Sequence, residues 1–219
     1  MLDTLSIYLG LTPLAVYLML IGMMNMSRRP FVVSGVRDLA VVLLAISGLV
    51  VVGPMELFFP VNASWHWGIY VWVYLLILYA LIVCLILLGQ RPRLNIYSVT
   101  LSELRPILSD LAMELDETAR WAGDALCLPK LGVQFYLESN SKLANVSLIS
   151  YGLRQSTEGW RILQNALTRA LNQSKNMEHK RSLGIFFFLG GLLLFGFLHG
   201  MIWYNSATFL QAIPNFLRV

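Results

Sequence analysis

Three residues in this chain place a titratable group beside strongly apolar sequence: Glu56, His66 and His199. Glu56 and His66 stand in GPMELFFPVNASWHWG at 53–68, and His199 in LLLFGFLHGMIWY at 192–204. Two imidazoles and a carboxylate are ligand types that suit zinc or iron. Two histidines can also hold a haem between them. The simpler expectation needs no ligand: Glu56 and His199 hydrogen-bond each other or interfacial water, and His66 lies exposed. Near a membrane surface the desolvation cost of such groups is much reduced. All of these chemistries depend on which elements carry the three residues and whether those elements meet.

Those elements are apolar helices. The chain is 57% hydrophobic and 13% charged, with a mean hydropathy of +0.66, about half the charged share of an ordinary soluble domain. Four runs are long enough to span a hydrocarbon core of about 30 Å at 1.5 Å per residue: 5–26, 39–59, 67–88 and 183–204. The first has Asp3 where a signal peptide would be basic, and Arg28 and Arg29 follow it, so a retained helix is expected.

Basic residues set the expected direction. Arg28, Arg29 and Arg37 lie between the first two runs, Arg91 and Arg93 follow the third, and Lys180 and Arg181 precede the fourth. The positive-inside rule makes these membrane-surface segments cytoplasmic and both termini external. The clusters Trp65, Trp67, Tyr70, Trp72 and Trp203, Tyr204 then fall at the outer interface, where amphipathic rings are enriched. On this topology Glu56, His66 and His199 share the outer leaflet. Pro13 and Gly53-Pro54 break or bend the first two helices in the same half of the membrane. The sequon Asn62-Ala63-Ser64 would also lie outside.

Between Arg91 and Arg181 lie 12 Lys/Arg and 9 Asp/Glu, 21 of the chain's 28 charges, so one water-facing domain holds nearly all of them. LNIYSVT at 94–100 is rich in strand formers. Thr100 with Glu103 forms a capping box for a helix that carries Leu104, Ile107, Leu108, Leu111, Ala112 and Leu115 at helical spacing. Val133, Phe135 and Leu137 alternate with polar residues. SNSK at 139–142 then supplies a turn, and LANVSLIS returns as the second strand of a hairpin. A second helix starts near Thr157 and carries Trp160, Leu163, Leu167 and Leu171 on one side. The order β-α-β-β-α suits a three- or four-stranded sheet covered on one face by two helices. In topology it resembles the split βαβ arrangement of ferredoxin-like domains without a last strand, a likeness that carries no function.

The expected fold class is thus a polytopic α-helical membrane protein: four transmembrane helices, with a small α+β cytoplasmic domain inserted between helices three and four. Its parts are residues 1–93, the domain 94–181, and 182–219 with the fourth helix and an external tail.

Chemistry inside the domain is sparse. The acidic run Asp110, Glu114, Asp116, Glu117, Asp124 reads as a solvated face. The domain has no CxxC, GxSxG, HExxH or Walker sequence, and its only histidine is His179 at its end. Its basic residues alternate with acidic ones, so nucleic acid is not expected as a partner. Cys84 and Cys127 read as buried thiols. No cofactor is predicted, and the nature of any metal is open. Gly196-x-x-x-Gly200 permits close helix packing, within the bundle or between protomers.

The leading expectation is a non-catalytic membrane component of a bacterial inner membrane that presents its cytoplasmic domain to a protein partner or to another copy of itself, as a scaffold, accessory subunit or sensor. A transporter or channel subunit using Glu56 and His199 is the alternative, weakened by the scarcity of polar residues at mid-membrane. A membrane metal- or haem-binding protein is the third reading.

Overall fold

A computed structural model describes residues 4–26, 30–60, 63, 66–140, 145–152, 155–173 and 182–217. Arg28, Arg29, Asn62, Ser64, Trp65, His179, Lys180, Arg181, Arg218 and Asp3 lie outside the described residues. In chain order the elements are α1 (Thr4–Met26), β1 (Phe31–Ser34), α2 (Gly35–Val50, continuing as a π-helical turn Val51–Met55), α3 (Tyr70–Leu88) and β2 (Arg93–Tyr97). Then follow α4 (Leu101–Leu115), β3 (Arg120–Ala122), β4 (Ala125–Leu128), β5 (Val133–Asn140), β6 (Asn145–Ser150), α5 (Thr157–Gln173), α6 (Ser182–Tyr204) and α7 (Ser206–Leu217). They form two compact units, one of residues 1–24, 39–89 and 184–219, the other of 25–38 and 90–183.

The first unit is helical. Four helices, Thr4–Met26, Gly35–Met55, Tyr70–Leu88 and Gly184–Tyr204, are long and apolar enough to cross a membrane. At most 17% of the most apolar stretch of each is buried by protein, so the remaining surface calls for an apolar surrounding. Small residues set the packing. A side chain at Gly22 would run into the backbone of Phe188, and one at Gly191 would come within 2.8 Å of the Met19 amide and 3.0 Å of the Ala15 carbonyl. These two glycines let α1 and α6 approach closely. Gly48 abuts the Leu9 carbonyl in the same way, joining α2 to α1. The Tyr79 hydroxyl donates to the Leu43 carbonyl at 2.6 Å and ties α3 to α2.

The bend expected at Gly53-Pro54 is a π-helical turn. Pro54 has no amide hydrogen and its ring crowds the turn before it, and a wider turn is one way to absorb both effects. The expected tail contains a further helix, α7, with Phe209, Ile213 and Phe216 spaced by four and three. Phe209 meets Tyr8 edge-on at 5.8 Å, and Phe216 stacks on Trp72 at 4.9 Å. Met55, Phe59, Val71 and Trp72 form a small buried cluster against which Phe216 packs.

The second unit is an antiparallel sheet of order β1-β2-β6-β5-β4-β3. Alternation puts Leu94, Ile96, Leu148, Val146, Phe135, Leu126 and Leu128 on one face. These join Leu104, Leu108 and Leu111 of α4 and Trp160, Leu163, Leu167 and Leu171 of α5 in a single core. Two helices therefore cover one face of the sheet, as the sequence pattern implies. The strands are more numerous than the pattern β-α-β-β-α implies. Two short ones, β3 and β4, form a hairpin between α4 and β5. The edge strand β1 comes from the segment between α1 and α2, pairing Phe31 with Tyr97 and Val32 with Ile96.

Polar side chains brace the joints of this unit. The Thr100 amide and hydroxyl both donate to Glu103 Oε2, at 2.9 and 2.7 Å, at the start of α4. Beyond its end, buried Asp116 accepts from the Thr118 amide and hydroxyl and from the Lys130 amide at 2.8 Å. Trp160 Nε1 donates to Gln155 Oε1 at 3.0 Å, and Gln155 Nε2 donates to the Gln134 carbonyl, which fixes α5 to β5.

Candidate functional site

Glu56 follows the π-helical turn of α2. It is half-buried and lies in a shallow hollow of about 660 Å³ with Pro54, Leu57 and Phe58. Leu57 and Phe58 are 78% and 76% exposed, so the carboxylate is set in an apolar surface. His199 is occupied locally: its Nδ1 lies 3.1 Å from the Phe195 carbonyl one turn back. A carbonyl oxygen can only accept, so in this hydrogen bond Nδ1 is the donor. The ring also packs on Phe195 at 4.2 Å and edge-on against Tyr8 at 5.8 Å. His66 is exposed, next to Trp67, whose ring meets Tyr74 edge-on.

Among the described residues no hydrogen bond or ion pair links Glu56, His66 and His199. No group of three His, Cys, Asp or Glu residues there could hold a metal ion. Gly196 and Gly200 face open space: a side chain at either would meet nothing within 4 Å. The close helix contacts described in the bundle belong instead to Gly22, Gly48 and Gly191. Of the basic residues at the expected cytoplasmic helix ends, Arg37 and Arg91 are exposed, and Arg93 is held by the sheet.

That last contact belongs to a polar network unmarked by any sequence motif. Arg93 Nε donates to Asn95 Oδ1 at 2.8 Å and Arg93 Nη2 to Ser147 Oγ at 2.9 Å. Asn95 Nδ2 and the Tyr97 hydroxyl then both donate to the Asp38 carboxylate, at 2.6 and 2.9 Å. Tyr97 stacks flat on Phe31 at 4.9 Å. Strand alternation puts Arg93, Asn95 and Tyr97 on the sheet face away from α4 and α5. Asp38 stands in the first turn of α2, where a carboxylate is favoured by the helix dipole. Gly35 permits this closeness, since a side chain there would approach the Arg93 stem to 3.0 Å. The first turn of an apolar helix is thereby fastened to the second strand of the sheet.

A second surface feature lies on the opposite face. Between α4 and α5 runs a groove of about 460 Å³ with Leu111, Leu115 and Ala166 along it, Glu114 on the α4 side and Arg169 on the α5 side. The three-and-four spacing along the two helices foretells their buried faces but not this seam, which arises from their side-by-side placement on the sheet. No protein-family model, curated protein or solved structure matches the chain.

Proposed function

We propose that this chain is a non-catalytic integral membrane protein that holds a small folded domain at the cytoplasmic surface and presents it to a protein partner, as a scaffold, accessory subunit or sensor. The observation that carries this reading is the domain's own continuous core, running from Leu94 and Ile96 through Leu108 to Leu167 and Leu171. An anchored module with a complete core can offer its outer surfaces to others without unfolding. In this reading the membrane is a bacterial inner membrane, and both termini are external because Arg28, Arg29, Arg37, Arg91, Arg93, Lys180 and Arg181 flank helix ends on one side of it.

A reporter joined at residue 140 should be active in the cytoplasm, and one at 219 outside. Protease should reach 94–181 in inverted vesicles and spare it in intact cells; cleavage from outside would refute the topology. A stable complex with another protein, isolated with the intact chain from membranes, supports the presenting role. Turnover of a substrate by the chain alone would sink it.

A second reading draws on one specific observation, the π-helical turn that opens a hollow beside Glu56. Such turns recur at functional sites. In this reading the chain is a transporter or channel subunit with a polar site in the outer leaflet at Glu56 and His199. Glu56→Gln abolishing a flux that the intact protein supports would favour it over the first.

A further inference from the structure

We infer that the groove between α4 and α5 is the contact surface for a second copy of this chain. This rests on the reading of 94–181 as a presented interaction domain and names what it meets. The core-facing side of α5 is filled by Trp160, Leu163, Leu167 and Leu171. Ile162, Ala166 and Ala170 form another row at intervals of four on its flank, and they line the groove, where Ile162 is 38% exposed. Two small residues in that row let another helix approach closely.

The two rims carry opposite charge. Glu114 stands on α4 and Arg169 on α5, and neither belongs to the ion pairs formed among the described residues, which join Arg105 to Asp124, Lys130 to Glu117 and Arg161 to Glu158. A twofold rotation brings the acidic rim of one copy over the basic rim of the other, giving two Glu114–Arg169 pairs around a shared centre in which Leu115, Ile162 and Ala166 lie among the amides of Asn165 and Gln173. This is self-complementarity, the condition for a closed dimer. A partner selected by one sign of charge would call for rims of one sign. The ion pairs fix register and exclude wrong pairings, and burial of Leu115, Ile162 and Ala166 with hydrogen bonding by Asn165 and Gln173 supplies the adhesion.

The test uses the full-length chain in detergent and in native membranes. Light scattering should give the mass of two chains. Glu114→Arg and Arg169→Glu, each alone, should weaken the dimer about tenfold or more by setting like charges opposite each other, and the double reversal should restore it. Ile162→Cys should cross-link into a dimer in native membranes, against a control carrying only Cys84 and Cys127. A monomeric wild-type mass would overturn the inference. So would single reversals that leave the dimer intact, which would assign it to the membrane helices, or a double reversal that fails to restore it while circular dichroism matches wild type. Loss of the dimer result with residue 140 still cytoplasmic would leave the presenting role standing; an external residue 140 would remove that role itself.

Discussion

The Tyr97 hydroxyl donates to the Asp38 carboxylate at 2.9 Å, joining the end of β2 to the first turn of α2 across 58 residues of intervening sequence. A hydrogen bond to a charged group contributes about 1.5–3 kcal/mol when well shielded. This pair is only half-buried, so Tyr97→Phe should cost about 1 kcal/mol. Asp38→Ala should cost more, since it also strands the Asn95 amide. A double-mutant cycle read by chemical denaturation should give a coupling of about 0.5 kcal/mol or more. Additive effects would show that the contact adds nothing to stability.

Asp116 gives the pH prediction. Burial pushes its carboxyl upward, but the Thr118 hydroxyl and amide, the Lys130 amide and the Lys130 charge together pull it below the ordinary carboxylate value. A carboxyl lowered in the folded state contributes stability that is complete above its unfolded value of about 3.9. That stability fades as pH falls through the lower folded value. Asp116→Asn should therefore narrow the stability difference between about pH 6 and about pH 3, with most of its damage at the higher pH. Equal damage at both pH values would contradict this.

Ser98 has a backbone φ of 64°, is 6% exposed, and finds no hydrogen-bond partner for its hydroxyl among the described residues. A left-handed conformation costs an L-residue about 1–2 kcal/mol, and glycine adopts it freely. Ser98→Gly should stabilise the domain by about 0.5–1 kcal/mol after glycine's extra chain entropy is counted. A lower melting temperature for this variant would mean that the hydroxyl has a role of its own.

The glycines of the bundle separate into two groups. Gly22→Ala and Gly191→Ala should each destabilise by about 1–3 kcal/mol, because the added methyl group meets backbone on the neighbouring helix. Gly196→Ala and Gly200→Ala, facing open space, should be neutral or stabilising by up to about 1 kcal/mol. Melting temperatures in one detergent rank the four. Damage from the last two alone would point to a contact between chains in the membrane.

Much of this arrangement is written locally. The apolar runs, the box formed by Thr100 and Glu103, and the alternation of Val133, Phe135 and Leu137 each state their element within a few residues. The spacing of Trp160, Leu163, Leu167 and Leu171 does the same for α5. β1 is not legible in that way. Phe31–Ser34 consists of strand formers, but four residues before a long apolar run have no local partner, and their pairing depends on β2 far down the chain. Asn95 and Tyr97 fall on one strand face by alternation, yet nothing in sequence names Asp38 as their acceptor. For Glu56 and His199, charge and apolarity yield only the expectation of a shared leaflet. The Phe195 carbonyl beside His199 is set within one turn of α6, whereas the Tyr8 ring comes from helix packing.

The origin of β1 has a consequence for how the molecule is made. The ribosome delivers Phe31–Ser34 long before Arg93–Tyr97, with two whole apolar helices synthesised in between, so the sheet cannot close its β1 edge until α2 and α3 have emerged. Until then the early strand offers an unpaired edge of the kind that seeds aggregation. A fragment cut at residue 94 would carry the converse defect: β2 would present the raw edge that β1 now covers, and such a fragment should stick to itself or to any chain offering a spare strand.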